Sequence, residues 1–365
     1  MRTLVVNAGS SSLKLSLVRD ASETLVEREL SAPRGQIDRD ELTRAITDEL
    51  RDADAVAHRI VHGGEHYVEP VLLTDEVVED LRALTDLAPL HQPKSLAALD
   101  AVTRLLPDLP AVACFDTAFH ATLSPAASTY AVPAEWRARW KVRKYGFHGL
   151  SHSWVARRAP QLLGAADENL RIISCHLGAG ASLCAIAHGE SIDTTMGFTP
   201  LDGLVMATRS GSVDPGMLLW LLAHDAVAQG EMASALEQES GLLALAGSAD
   251  MKEVLARANG DDADATLAIN VYVHRLAGAI AAMAAASSGI DVLVFTGGVG
   301  ERAPEIRARA TAGLAFLGLA IDEGANQRLA GDGDISAARS EVPTLVIRAR
   351  EDLEMARQAK SVLAT

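Results

Sequence analysis

The chain has 365 residues, of which 48% are hydrophobic and 22% charged, with a formal net charge of −15. Such a length exceeds one ordinary hydrophobic core and predicts two domains, and the balance of apolar and charged residues excludes a disordered chain. An acidic surface is repelled by nucleic-acid backbones and anionic lipid, so no nucleic-acid and no membrane partner is expected.

Three cysteines, Cys114, Cys175 and Cys184, lie in or beside apolar runs without metal or redox spacing. They read as small buried hydrophobes in a reducing compartment. The N-terminal apolar run, Leu4-Val5-Val6, is too short for a signal peptide. The longest apolar stretch, Leu276 to Ala286, is shorter than the roughly 20 residues of a bilayer span. A soluble, cytoplasmic protein is expected.

In chain order, residues 4–18, LVVNAGSSSLKLSLV, predict a β-hairpin bent at small polar residues, with Lys14 in the return strand. Helical periodicity follows at Asp75 to Leu87 and at Pro93 to Leu106, where Leu96, Leu99, Val102 and Leu106 share a face. VACFDTAFH, residues 112–120, reads as a short buried strand ending in polar residues. Residues 170–191, LRIISCHLGAGASLCAIAHGES, repeat the strand, glycine-rich bend and strand of the N-terminus. We read the pair as a degenerate internal duplication, against the alternative of a chance match between two hairpins. Asp214-Pro215 predicts a helix start, and an Ala-rich helix is expected over about 266–286. IDVLVFTGGVGERAPEIR then predicts a buried strand, a double-glycine bend and a helix entered through Pro304; a strand over 344–352 precedes a closing helix. Mixed strands and helices in both halves make the fold class α/β.

Three glycine-rich bends, Gly9 to Ser12, Gly178 to Gly180 and Gly297 to Gly300, each follow a buried strand. Glycine allows close backbone approach, and free N–H groups in such bends form anion-binding concavities. Together with the hydroxyls and Lys14 of the first bend, they point to a polyphosphate held between two domains, the third bend leading into a helix N-terminus. No Gly-Lys pair occurs, so a P-loop is excluded, and the protein-kinase motifs are missing. A phosphate binder lacking these motifs suggests a pair of ribonuclease-H-like domains closing on ATP, as in sugar kinases, actin and heat-shock ATPases. His58, His62 and His66 are spaced four apart, but Gly63-Gly64 breaks a zinc-binding helix, so no metal site is expected there. GLSHS, residues 149–153, falls one residue short of a hydrolase nucleophile elbow.

Four more polar segments lack regular periodicity: AHRIVHGGEHY (57–67), CFDTAFH (114–120), KYGFHGLSH (144–152) and TTMGFTPLDGLVMATRSGSVDPG (194–216). With these the chain resembles the acetate kinase family over nearly its whole length, from NAGSSSLK to REDLEMAR. The resemblance implies two duplicated ribonuclease-H-like, actin-like ATPase domains with an interdomain cleft. The first would comprise residues 1–120 plus a closing helix over 352–365. The second, residues 121–351, would carry the nucleotide site and a homodimer interface.

The resemblance also implies roles. Asp116, His148 and Arg209 would be catalytic, the last two stabilising the transferring phosphoryl group. Arg59 would receive the substrate carboxylate, and Val61, Leu90, Phe147 and Pro200 would form an apolar pocket for its methyl group. Ser10, Ser12 and Lys14 would neighbour the phosphates. Three segments would hold the nucleotide: His176, Leu177, Gly178, Ala179 and Gly180; Asp250, Met251 and Lys252; and Gly297, Gly298, Val299, Gly300 and Glu301. Asn7 and Glu351 would serve Mg²⁺, with Mn²⁺ as a substitute. The implied reaction is direct in-line phosphoryl transfer between ATP and acetate, giving acetyl phosphate and ADP without a phosphoenzyme. A small carboxylic acid, with a pKa near 4.3, is already ionised at neutral pH, so the task is to bring one anion up to another with cations and aimed donors.

The chain departs from the family pattern at Ala179, Lys252, Arg302 and Arg350, where Asn, Arg, Asn and Asn are usual. All four were expected in or beside the nucleotide half, with Arg302 and Arg350 adding positive charge there. ATP is favoured as donor, with pyrophosphate or another nucleoside triphosphate as alternatives. A propionate or butyrate kinase is the alternative of acceptor, and a non-catalytic actin-like nucleotide-binding module the alternative of class.

Overall fold

The computed structural model describes residues 1–9, 12–31, 38–89, 91–165, 169–224 and 226–364. The chain divides into two compact units, one of Met1–Ala121, Phe147–Trp154 and Arg350–Thr365, the other of Thr122–Gly146 and Val155–Ala349.

The first unit is built on a six-stranded sheet. Its strands are β1 (Arg2–Ala8), β2 (Ser12–Arg19), β3 (Glu23–Ser31), β4 (Ala55–Ile60), β5 (Val71–Leu72) and β6 (Ala111–Phe115), in spatial order β3-β2-β1-β4-β6-β5. β1, β2 and β3 form an antiparallel meander, while β1, β4 and β6 run parallel. Parallel strands covered on both faces read as continuous apolar runs, and successive side chains serve opposite faces. Thus Leu4, Val6 and Val56 pack with Ala98 and Val102 of the helix Gln92–Leu105. Val5, Ala57 and Val112 pack instead with Met355, Ala356 and Ala359 of the closing helix Glu351–Leu363.

The second unit repeats the plan. β7 (Ile172–Leu177), β8 (Ala181–Ala187) and β9 (Glu190–Thr194) form the antiparallel meander, and β7, β10 (Val292–Thr296) and β12 (Thr344–Val346) run parallel. With β11 (Gly333–Asp334) on the edge, the order is β11-β12-β10-β7-β8-β9. Strand order and direction match the first sheet position for position, so the duplication read from two hairpins extends to whole sheets.

The expected Ala-rich helix spans Ala263–Ala286 and starts earlier than its periodicity suggests, because Asp262 caps it by accepting from Asp264 and Ala265 N–H. By length and composition it is the described helix able to cross a bilayer. Its Ala268, Ile269, Tyr272, Leu276 and Ile280 are buried, as in the core helix of a folded unit. Asp214 caps the helix Pro215–Ala223 through Gly216 N–H at 2.7 Å, as its sequence predicts. The third glycine bend is not a bend: a helix, Gly297–Arg302, begins directly at the end of β10. Gly297 makes this possible, since its φ is +77° and a Cβ there would lie 2.8 Å from the Leu177 carbonyl oxygen.

None of the three cysteines forms a disulfide and all are buried, and burial raises each thiol above its usual range, Cys184 to about 12. Ser151 is fully buried within the helix Gly149–Leu163, which is no setting for an exposed nucleophile. Among the described residues no cluster of His, Cys, Asp and Glu suits a metal ion. His58 instead lies in β4, 1% exposed, with neither ring nitrogen hydrogen-bonded among the described residues. It borders a cavity of about 790 Å³ whose rim mixes Asp75, Glu79, Arg82, Asp100 and Arg104, and which holds none of the residues expected to carry chemistry.

Burial lowers the His58 pKa from 6.5 to about 4. A depressed pKa means the unfolded chain binds the proton first as pH falls, so stability present above pH 6.5 is lost as pH approaches 4. The loss is on the order of 3 kcal/mol for His58 alone. Urea titrations of wild type and His58→Met between pH 6.5 and 4 should show a shallower decline for the variant; equal slopes would refute this assignment.

Candidate active site

In the first unit, β1, β4 and β6 point their carboxyl ends the same way, the edge where parallel α/β sheets place ligands. Register sets Val6 beside His58, so the next residues along, Asn7 and Arg59, are neighbours, while Asp116 follows directly on β6. Asp116 N–H donates to the Ile60 carbonyl at 3.0 Å, holding that end of β6 against β4.

The four side chains there form one network. Arg59 Nε donates to both Asp116 carboxylate oxygens at 3.0 and 3.1 Å, and its Nη2 donates to Oδ2 at 2.7 Å. Arg59 Nη1 donates to Asn7 Oδ1 at 3.0 Å and lies 3.8 Å from Glu351 Oε2, to which Asn7 Nδ2 donates at 2.8 Å. Asp116 is 1% exposed. Burial raises its pKa, Arg59 pulls it down, and Glu351 adds to the rise. Burial opposes the Arg59 charge, but Asp116 and Glu351 outweigh it and hold the guanidinium firmly protonated. One face of this guanidinium is thus committed to a protein carboxylate before any substrate arrives. Glu351 is the first residue of the closing helix, where the helix dipole favours a carboxylate.

Around this network the expected neighbours separate. Val61 and Phe147 are buried in the same unit, the Phe147 ring edge-on to His62 at 5.7 Å. Gly149 N–H donates to the Asp116 carbonyl at 2.8 Å, and a Cβ at 149 would sit 2.3 Å from that oxygen. The glycine therefore brings the start of the helix Gly149–Leu163 against the backbone of Asp116. His148 precedes it with φ +57°, a conformation rare for a residue with a side chain, and its carbonyl accepts the first helical bond from His152. Lys14 is the cross-strand partner of Asn7, exposed and without a hydrogen bond or ion pair among the described residues. Ser12 donates its hydroxyl to Glu29 at 2.6 Å. Ser10 and Leu90 lie outside the described residues.

The second unit holds a cavity of about 530 Å³. Of the residues expected at the nucleotide, Gly178, Ala179, Asp250, Met251, Lys252, Gly298 and Val299 line it, so all three segments meet there. Ala207 N–H donates to the Ala179 carbonyl at 3.1 Å, tying the loop that carries Arg209 to the second glycine bend. Arg209 itself pairs through Nε with Glu237 at 3.2 Å and donates from Nη1 to the Pro200 carbonyl at 3.2 Å. Asp250 caps the helix Met251–Ala258, accepting from Lys252 N–H at 2.9 Å. His176, Leu177, Gly180, Gly297 and Gly300 build the strand ends and the helix start beside the cavity rather than its lining. Glu301 turns to the backbone, its Oε1 accepting from Ala349 N–H at 2.9 Å.

The departures fall differently from expectation. Arg302 lines the cavity, but Arg350 belongs to the first unit, where its guanidinium pairs with Asp352 at 2.9 Å and donates to Thr24 Oγ1. Its charge is paired two residues away, within the first unit. Arg307 went unnoticed in the sequence. It is 2% exposed and donates to the carbonyls of Gly300 and Glu301 at 2.8 and 2.9 Å and to Asn326, capping the helix Gly297–Arg302. Burial lowers its pKa to about 10, which still leaves it charged. A lone arginine in a helical stretch carries no sequence signal of burial.

A sequence model described as the acetokinase family matches residues 36–357. An acetate kinase of Thermoanaerobacterium thermosaccharolyticum is 38% identical over all of this chain and 99% of its own length. The crystal structure of Porphyromonas gingivalis acetate kinase superposes with a TM-score of 0.89 at 33% identity, covering 99% of both chains. That of a propionate kinase from Francisella tularensis superposes at 0.90 with 35% identity, covering 98% of both. Duplicated sheets, a carboxylate-bound arginine at the strand ends and a cavity of about 530 Å³ where three segments meet, two of them bearing glycine, thus agree with full-length similarity: the chain belongs to the acetokinase family.

Proposed function

We propose that this kinase, whose family transfers phosphate to a carboxylate, interconverts acetate plus ATP and acetyl phosphate plus ADP in the cytoplasm. The observation that carries the reading is the Asn7–Arg59–Asp116–Glu351 network. A non-catalytic nucleotide-binding module needs no buried guanidinium held open by two carboxylates, whereas a carboxylate acceptor does. Arg59 has one Nη1 and one Nη2 hydrogen outside its bonds to Asp116 and Asn7, and these are its donors for the incoming acid. Val61 and Phe147 supply a small apolar wall for its methyl group. Arg209 and His148 act on the transferring phosphoryl oxygens.

Asn7 Oδ1 and the Glu351 carboxylate are hard oxygen donors held side by side, which fits Mg²⁺; the ion usually takes only one or two protein ligands and keeps its waters and phosphates. When bound, Mg²⁺ supplies charge neutralisation at the phosphates. Arg59 already keeps both groups oriented through Asn7 Oδ1 and Glu351. For the second unit we propose a homodimer interface at the helix Pro215–Ala223, which buries none of its residues and exposes Met217, Leu219 and Trp220. A monomeric mass by sedimentation at micromolar concentration would refute it. The cytoplasmic setting rests on the ATP substrate and three cysteines outside any disulfide, and cell fractionation tests it.

The testing experiment traps acyl phosphate with hydroxylamine, with acetate, propionate and butyrate as acceptors and ATP, GTP and pyrophosphate as donors. The expected result is the highest kcat/KM for acetate with ATP. Preference for a longer acid would move the reading to the propionate kinase alternative, and no product from any pair would leave only the binding module.

A further inference from the structure

In the first unit Val61 stands between two backbone anchors. On one side the Ile60 carbonyl accepts from Asp116 N–H at 3.0 Å. On the other, the Gln92 carboxamide pairs with His62 as a neighbouring strand would. Its Oε1 accepts from His62 N–H at 3.1 Å, and its Nε2 donates to the His62 carbonyl at 3.1 Å. The same Nε2 donates to the Leu81 carbonyl at 3.2 Å, one of the last four of the helix Asp75–Ala83, which lack partners within the helix. The reversed amide would set its oxygen against two carbonyls, so the network fixes its orientation. Gln92 is fully buried, and a buried amide is tolerated only where its donors and acceptor are met, as they are here. Two more bonds hold the chain beyond: Gly63 N–H donates to Thr117 Oγ1 at 3.1 Å, and Gly64 N–H to His62 Nδ1 at 2.9 Å. Burial lowers the His62 pKa to about 4, so the ring stays neutral and Nδ1 can accept. That ring packs edge-on with Phe147.

We propose that Gln92, assisted by Thr117, is a positioning residue that sets the acceptor length this kinase selects. By holding His62 at its N–H and its carbonyl, Gln92 fixes Val61 on one side of that residue and the ring against Phe147 on the other. This rests on the kinase reading above, in which Val61 and Phe147 wall the methyl group of the acid, and adds to it what keeps those walls in place. An apolar pocket discriminates one methylene only about 10–200-fold, and it does so only while its wall does not retreat. Thr117 directly follows Asp116, so the carboxylate that orients Arg59 and the loop that carries the wall share one support.

The test is Gln92→Met, which keeps the length of the side chain and removes all three bonds. In hydroxamate assays with acetate, propionate and butyrate, KM for acetate should rise about tenfold, and the ratio of kcat/KM for acetate over butyrate should fall about tenfold. KM for ATP should stay within about twofold, since the change touches the acceptor alone. Gln92→Glu, whose carboxyl is kept protonated by burial and can make two of the three bonds, should fall between. Thr117→Val loses only the Gly63 bond; it should move the same ratio in the same direction by about threefold, and it carries the test where Gln92→Met does not fold. Val102→Ala, a cavity on the same helix where it packs against the sheet, is the control: it should lower Tm and leave the acid ratio where it was. Acid ratios unmoved in Gln92→Met and Thr117→Val, or moved as far by Val102→Ala, overturn the proposal. A wild type that forms no acyl phosphate defeats the kinase reading and this inference with it, whereas wild-type turnover with unmoved ratios defeats this inference alone.

Discussion

Arg209→Ala is expected to lower kcat on the order of 10²–10³-fold while leaving a folded protein. Removing one aimed donor from a transition state typically has that effect. Arg209 reaches the Pro200 carbonyl and Glu237, and both it and Glu237 retain some contact with solvent, at 15% side-chain exposure each. Burial already raises the Glu237 pKa and Arg209 holds it down, so after the substitution the carboxyl can take a proton or a water instead of standing as a buried charge. A stability loss of about 1–3 kcal/mol follows from the broken charge-assisted bonds. Arg209→Lys should fall between wild type and alanine, because the charge remains but the planar fork is gone. Acyl hydroxamate formation and thermal melts check both arms. An alanine variant within tenfold of wild-type kcat would remove Arg209 from the phosphoryl-transfer machinery.

The second large effect divides into two. Arg59→Ala should abolish measurable acetate phosphorylation and also destabilise the first unit by about 3–5 kcal/mol, because it leaves the nearly inaccessible Asp116 carboxylate without its partner. The bidentate pair with Asp116 therefore couples the loss of activity to a loss of stability. A double substitution, Arg59→Met with Asp116→Leu, separates the two contributions. Replacing a buried ion pair by apolar groups is often neutral in stability, so the double variant should melt well above Arg59→Ala. It should remain inactive, because no guanidinium is left for the acid. Equal melting of the two variants would show that Asp116 is not stranded, and recovered turnover would show that Arg59 does not handle the acceptor.

The pair engages the Asp116 carboxylate with Arg59, a role other than that of a base. Acetate arrives ionised and has no proton to remove. Asp116 instead fixes the plane of the Arg59 guanidinium by a fork of three contacts between 2.7 and 3.1 Å. The Gly149 N–H then anchors the Asp116 backbone at 2.8 Å, so the glycine of KYGFHG positions the carboxylate as well as the histidine before it.

What could be read from the chain alone was local. Both glycine-bent hairpins follow from apolar runs and the turn between them, and Asp214-Pro215 begins a helix because an Asx side chain and a fixed φ satisfy its first turn. The third bend was misread for an equally local reason. Two adjacent glycines ordinarily signal a turn, and only the Leu177 carbonyl lying 2.8 Å from where a Cβ would stand shows that they start a helix instead. The long polar segments identify a family because they match residue by residue, a kind of information that periodicity does not contain.

Convergence was decided by the tertiary structure. Asn7 and Glu351 stand 344 residues apart and meet only because three parallel strands end together and the closing helix returns to them. The same folding carries Arg350 away to Asp352 and sinks Arg307 under a helix end. The strength of a charge or a hydroxyl depends on what desolvates and faces it, and those neighbours come from crossover connections rather than from adjacent positions in the chain. Residue types and their local turns were therefore set by the sequence itself, while which charge is spent on a partner, and which is left for a substrate, was settled by the packing of distant segments.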